Sequence, residues 1–156
     1  MSVPTILKGH EFFSHLRVED VDRISRFVER RAYERNDVIF KHGEKAEKVY
    51  LLLEGSVHLG LPARPEEFLV LISKVEKGDL FGLSSLLGSD RYILAAQCSE
   101  KSEVLVIDAK NLRNLLESDC IIGFSIMSEV ARAYYDRYIA LLNRLQSIVL
   151  QIPLIS

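Results

Sequence analysis

The segment from Gly78 to Cys98 contains the residues of this sequence best suited to hold a small ligand. Residues 78–88 read GDLFGLSSLLG, which is a tight turn followed by a short apolar run. A run of that length predicts one or two helical turns that end at Gly88. Because the first amides of a helix lack partners within it, such a turn can seat an anion.

Composition sets broad limits on the protein. The 156 residues are 48% hydrophobic and 27% charged with a net charge of -2, which fits one globular domain without a general attraction for nucleic acid. No charge-free apolar stretch is long enough to span a membrane, and the first ten residues do not resemble a secretory signal. Cys98 and Cys120 have no metal-ligand spacing. We expect a cytoplasmic protein with reduced thiols, bound neither to membrane nor, by this chain alone, to nucleic acid.

The middle of the chain consists of short apolar segments separated by turn residues. Such segments at close spacing, with no helix between most of them, predict an antiparallel jelly-roll β-barrel. The overall class is mainly β with flanking helices (α+β). The predicted strands are Val38–Phe40, Val49–Leu53, Ser56–Leu61, Phe68–Ile72, Leu94–Cys98 and Val104–Ile107.

Helical patterns flank these strands. Apolar residues at helical spacing predict a helix from Ser14 to Arg31, and a shorter one is expected from Asp108 to Glu117. Arg132, Arg137 and Arg144, which follow in the last part of the chain, are expected to lie on solvated helix faces.

The last segment has the strongest periodicity. Asp119 can cap a helix that runs to about Ile152, before Pro153. Its first half should pack on the roll. A helix of about 33 residues is roughly 50 Å long, so its second half should project beyond a domain of about 15 Å radius of gyration and pair with a second copy. The apolar seam, with alternating spacings of four and three, is Cys120, Phe124, Met127, Ala131, Tyr134, Tyr138, Leu141, Leu145, Ile148 and Ile152.

The predicted organisation is therefore a β-roll with N-terminal helices over residues 1–118, followed by a dimerisation helix over residues 119–152. This order resembles the cyclic-nucleotide-binding domain family, which includes catabolite-activator-like regulators and the regulatory parts of cyclic-nucleotide-dependent kinases. The residues that carry the resemblance are Phe40, Gly43, Glu44, Ala46, Tyr50, Gly55, Val57, Gly78, Phe81, Gly82 and the strand from Glu103 to Ile107.

The resemblance implies that residues 81–96 form a phosphate-binding cassette. In nucleotide-binding members a Glu follows Phe-Gly and accepts a hydrogen bond from the ribose, while a later Arg neutralises the cyclic phosphate. Here Leu83 stands at the Glu position and Tyr92 at the Arg position, followed by Ile93. Arg91 is one residue too early, and neighbours in an extended segment point to opposite faces. A local bulge could still turn Arg91 inward.

Other sites have weaker support. The four histidines have no metal-binding spacing, and Ser84 and Ser85 lack an accompanying base. An enzyme is therefore not expected, and no metal is predicted; the candidate ligands are cAMP, cGMP or another small effector. The candidate ligand site comprises Gly78, Phe81, Gly82, Leu83, Ser84, Ser85, Arg91, Tyr92 and Ile93.

Three functions stay open at this point. The first is a sensor whose pocket holds an effector, either cAMP, cGMP or a more apolar molecule, and signals through the long helix. The second is a dimerisation module with a filled pocket. The third is the sensory half of a transcription regulator whose helix-turn-helix lies outside these 156 residues.

Overall fold

Eight antiparallel strands form two four-stranded sheets in the computed structural model, which describes residues 1–64, 68–151, 153 and 155. One sheet has the order β1-β8-β3-β6 and the other β2-β7-β4-β5. This arrangement confirms the predicted jelly roll. The strands are β1 (Val28–Tyr33), β2 (Val38–Phe40), β3 (Lys48–Glu54), β4 (Val57–Pro62), β5 (Leu69–Val75), β6 (Leu80–Phe81), β7 (Ala95–Cys98) and β8 (Ser102–Asp108).

The helices lie at the two ends of the chain. Two short helices precede the roll and two longer ones follow it. They are α1 (Val3–Lys8), α2 (Val18–Ser25), α3 (Ala109–Ser118) and α4 (Cys120–Val149), with one 3-10 turn, Ser84–Leu87, between β6 and β7.

Strand β3 separates two apolar cores because both of its faces are buried. Val49 and Leu51 point toward the helices, whereas Tyr50 and Leu52 point into the space between the sheets. A strand covered on both sides reads as a continuous apolar run rather than an alternating one.

The predicted helix from Ser14 to Arg31 is wrong in its second half. The helix ends at Ser25, and residues 28–33 form β1, which pairs with β8 from Val28 opposite Ile107 to Tyr33 opposite Ser102. β1 lies at the edge of its sheet with a charged sequence, VERRAY, and charged side chains suit an exposed edge strand. The same charges resemble a solvated helix face when pairing is unknown.

Helix α4 begins as predicted. The Asp119 carboxylate accepts hydrogen bonds from the amides of Ile121 and Ile122 at 3.2 Å, which is an N-cap. The part of the predicted seam closest to the cap does not pack on the roll, however. Phe124 is 79% exposed, and the buried positions in this part of the helix are instead Ile122, Gly123, Ile126 and Val130.

The second half of α4 lies alongside the roll up to Arg144. Arg137 donates to the Leu80 carbonyl at 2.9 Å, and Arg144 donates to the Ile72 and Leu71 carbonyls at 2.9 Å. The prediction that this half projects free of the domain is therefore wrong up to Arg144. A radius of gyration describes a sphere, whereas a sheet of extended strands offers a long surface on which a helix can lie.

Candidate ligand-binding site

The cassette is shaped by a glycine at the end of β6. Gly82 has φ +68°, in the left-handed region that favours glycine. A Cβ at this position would lie 3.0 Å from the Tyr50 ring and 3.1 Å from the Phe40 ring. The chain then enters the 3-10 turn, which ends at Gly88 with φ +87°. The predicted stop at Gly88 is thus confirmed, with a 3-10 turn in place of an α-helix.

Tyr92 fills the interior of the roll. Its side chain is only 4% exposed, and its ring is stacked on Phe40 with centroids 3.8 Å apart and an interplanar angle of 16°. The hydroxyl donates to the Lys48 carbonyl at 2.6 Å and accepts from the Lys48 amide at 3.2 Å. Burial raises the pKa of the Tyr92 phenol. The position therefore carries a neutral, fixed aromatic ring.

Arg91 points to the outside of the roll. It forms an isolated antiparallel bridge with Lys45, and its guanidinium donates to the Gly43 carbonyl at 2.8 Å. The side chain is exposed, and no bulge turns it toward the interior. The two neighbours, Arg91 and Tyr92, thus face opposite sides, as the extended backbone requires.

A cavity of about 270 Å³ lies between the cassette, strands β4 and β5, and helix α4. Most of its lining is apolar, and no carboxylate side chain belongs to it among the residues that the structure describes. The lining residues are Phe40, Leu59, Ile72, Ser73, Gly82, Leu83, Ser84, Tyr92, Ile93, Leu94, Tyr134, Arg137, Tyr138 and Leu141.

Leu83 connects this cavity to the apolar core between β3 and the helices, which we call the helix-side core. It is 1% exposed, and it belongs to the apolar cluster that includes Leu51 and Leu80. An aliphatic side chain offers no acceptor to a sugar hydroxyl, so this corner of the cavity suits an apolar group.

Arg137 is the single charged residue of the lining. It reaches the cavity from α4, donates to the Leu80 carbonyl, and lies with its guanidinium carbon 5.8 Å from the centre of the Tyr134 ring. Burial lowers the pKa of its guanidinium, although arginine stays charged at neutral pH. Within the described part of the chain, no carboxylate lies within 4.0 Å of it.

The prediction that Arg137 lies on a solvated helix face is wrong, because this residue is half-buried and its guanidinium donates to the Leu80 carbonyl. Arg144 is exposed, in keeping with that prediction, although its guanidinium donates to two carbonyls of β5. The sequence did contain a signal for Arg137. It lies three residues after Tyr134 and four before Leu141, which places these three residues on one helical face. A lone arginine in an aromatic and aliphatic stripe is a candidate for a buried cation.

Known proteins match both the sequence and the fold. The family model described as cyclic nucleotide-binding domain matches residues 30–119. A crystal structure from Geobacter metallireducens, of a protein provisionally named as cyclic nucleotide-binding, is 31% identical with a TM-score of 0.77, and the match covers 88% of this chain and 99% of that one. This chain belongs to the cyclic nucleotide-binding domain family.

Two further proteins that match this domain carry regulatory names. The cyclic AMP receptor protein of Thermus thermophilus is 28% identical, with 81% of this chain and 58% of that protein covered. The sensor domain of the transcriptional regulator DNR from Pseudomonas aeruginosa has a TM-score of 0.70 at 16% identity, with 87% of this chain and 96% of that one covered, a likeness of fold alone. The match to a channel-type relative from Rhodopseudomonas palustris covers 24% of that protein's length. The chain therefore spans only part of the length of these curated relatives.

The domain brings together five of the nine residues predicted for the ligand site. Gly82, Leu83, Ser84, Tyr92 and Ile93 line the cavity. The other four lie elsewhere: Gly78 is beside His10, Phe81 is fully buried between the sheets, Ser85 faces a separate cleft near Lys48 and Arg113, and Arg91 is on the outside.

The predicted dimer residues differ in exposure along α4. Met127 and Tyr134 pack against the helix-side core, and Ala131 is exposed. The remaining described seam residues, Tyr138, Leu141, Leu145 and Ile148, are exposed as well. Ile152 lies outside the described residues.

In the part of the chain that the structure describes, no helix is long and apolar enough to cross a bilayer.

Proposed function

We propose that this chain is a regulatory module of the cyclic nucleotide-binding type that binds cAMP and cGMP weakly or not at all. In this proposal another small effector occupies the cavity, and a dimeric α4 carries the signal. The observation that carries the proposal is the position of Tyr92. A buried tyrosine, bonded through its hydroxyl to the Lys48 backbone, occupies the position at which the resemblance places the family's phosphate-binding arginine.

The energetic consequence for a nucleotide is large. A lost charge-assisted phosphate contact costs on the order of 1.5–3 kcal/mol, and an unmatched ribose hydroxyl at Leu83 costs about 1–3 kcal/mol more. Together these losses weaken binding by roughly two to four orders of magnitude. Arg91 does not compensate, because its guanidinium is held on the outside by the Gly43 carbonyl.

The position of α4 supports transmission of a signal. Arg137, Tyr138 and Leu141 line the cavity, so a molecule bound there contacts α4 directly. A ligand with different affinities for two positions of α4 would shift the balance between them. The division into a roll over residues 1–118 and an output helix over residues 119–152 belongs to this proposal.

Titration with cAMP and cGMP by calorimetry, with the melting temperature followed in parallel, tests the proposal. We expect dissociation constants weaker than about 100 µM for both nucleotides. Nucleotide concentrations below about 100 µM should therefore not raise the melting temperature. A micromolar or tighter constant for either nucleotide would overturn it.

A second candidate is the sensory part of a transcription regulator. It is favoured by the match to the Thermus cyclic AMP receptor protein, of which the chain covers 58%. The complete coding sequence of the parent gene tests this candidate, which requires a helix-turn-helix after α4.

A further inference from the structure

The charge of the cavity comes from α4 rather than from the cassette. Arg137 is the one charged residue in the lining, and no acidic side chain among the described residues accompanies it there. Arg137 is half-buried, and Asp79 attracts it only from beyond ion-pair distance. A cation partly removed from water without a paired carboxylate is costly, unless an anion or several acceptors satisfy it. The electrostatics of the cavity therefore favour a negatively charged group near Arg137.

Most donors of this guanidinium are unused. An arginine carries five N–H donors, whereas Arg137 makes one hydrogen bond to a described residue, to the Leu80 carbonyl at 2.9 Å. Arg144, seven residues later on the same helix, donates to two carbonyls and does not line the cavity. The free edge of the Arg137 fork matches the two oxygens of a carboxylate.

The rest of the cavity selects for an apolar body. Phe40, Tyr92 and Tyr138 provide aromatic walls, and Leu83 and Leu141 provide aliphatic ones. The remaining polar side chains are hydroxyls, from serine and tyrosine. The volume of about 270 Å³ lies just below the range of roughly 300–1,000 Å³ for pockets that hold drug-sized ligands, so a small molecule fits best.

We propose that the cavity binds a small apolar carboxylate, with its carboxyl group on Arg137 and its hydrocarbon body between the cassette and α4. This inference rests on the proposed function, because it treats the cavity as the effector site. It goes further in naming the class of effector and in moving the anion anchor from the cassette to the signalling helix.

Calorimetry with two probe acids and their neutral counterparts tests the inference. We choose benzoate and hexanoate, with benzamide and hexanamide as uncharged analogues of similar shape. We expect at least one acid to bind the wild-type chain with a constant of about 1 mM or tighter, and its amide to bind roughly tenfold to a hundredfold more weakly. Failure of both acids to bind, or equal binding of acid and amide, overturns the inference.

Variants of α4 then assign the anchor. R137Q should weaken binding of the acid roughly tenfold or more while leaving the amide unchanged, and R137K, which keeps the charge without the fork, should fall between R137Q and the wild type. R144Q is the matched control and should bind the acid like the wild type. Melting curves of each variant show that it is folded. Unchanged acid binding in a folded R137Q, or an equal loss in R144Q, also overturns the inference.

A parallel cAMP titration separates the two proposals. If neither the acids nor cAMP bind, only this inference fails, since weak nucleotide binding is what the cassette predicts. If cAMP binds in the micromolar range, the proposed function fails whatever the acids do.

Discussion

The Tyr92 hydroxyl bridges the backbone carbonyl and amide of Lys48, at 2.6 and 3.2 Å. This bridge joins the end of the cassette to the first residue of β3. The resemblance implies that in nucleotide-binding members of the family an arginine at this end of the cassette binds the phosphate. Here a side chain of the protein itself holds this end in place.

Removing the hydroxyl should therefore destabilise the domain. In Tyr92→Phe the ring can keep its stacking on Phe40, but both backbone groups of Lys48 lose their partner. We expect a loss of about 1–3 kcal/mol in the free energy of unfolding, measured by urea denaturation. Tyr138→Phe is the control, because its side chain is exposed and its hydroxyl makes no hydrogen bond to a described residue. A cost below about 0.5 kcal/mol at Tyr92 would contradict a structural role for the bridge.

The same aromatic cluster predicts a sensitivity to alkaline pH. Burial is the main cause that raises the pKa of both Tyr50 and Tyr92 above the ordinary value of 10.0. Above that pH the unfolded chain releases phenolic protons that the folded protein retains. Stability should thus be constant with respect to these groups below about pH 10 and should fall as the pH rises further, by up to about 1.4 kcal/mol per pH unit for each tyrosine.

Urea unfolding between about pH 8 and pH 11.5 measures this slope. Tyr50→Phe should make the alkaline slope shallower, whatever it does to stability at neutral pH. Tyr135→Phe, at an exposed position of α4, is the comparison that should leave the slope as it is. Identical slopes in all three proteins would exclude the buried phenols as the cause.

The parts of the fold that local signals specify were predictable from sequence. Asp119 caps α4 as expected, and Gly88 ends the cassette turn, because capping and positive φ depend on a few adjacent residues. The sequence did not predict strand β1, because its charged residues directly follow apolar residues at helical spacing and look like the end of the same helix. Pairing with β8 makes this segment a strand. The role of Arg137 was missed for a similar reason. Its burial depends on where α4 crosses the roll, which no local pattern specifies.

The opposite orientations of Arg91 and Tyr92 predict how nucleotide binding could be restored. In the double variant Leu83→Glu, Tyr92→Arg, both replaced side chains line the cavity, so the family's two ligand contacts would return together. We expect cAMP or cGMP to bind at least tenfold more tightly than to the wild type, measured by calorimetry. Melting curves are needed because Leu83 is part of the helix-side core.

The control for this restoration is Arg91→Gln in the same double variant. Since Arg91 is bound to the Gly43 carbonyl outside the cavity, its loss should not change nucleotide binding. No gain in a folded double variant would count against the alignment of Tyr92 with the phosphate arginine. A gain that disappears with Arg91→Gln would show that Arg91, rather than the new arginine, binds the phosphate.

The apolar end of α4 predicts a homodimer. Leu145 and Ile148 are 56% and 60% exposed and continue the seam that Leu141 and Tyr138 begin. Burying a side chain of this size contributes about 1.5–3 kcal/mol, so a symmetric partner helix would gain from covering them. We expect light scattering to give the wild type twice the 17.8 kDa mass of one chain.

Leu145→Glu with Ile148→Glu should give a monomer, because four carboxylates would meet across the seam. Ile121→Glu adds a charge at an exposed α4 position off the seam and should remain dimeric. A monomeric wild type, or a double variant that stays dimeric, would show that this seam does not join two copies.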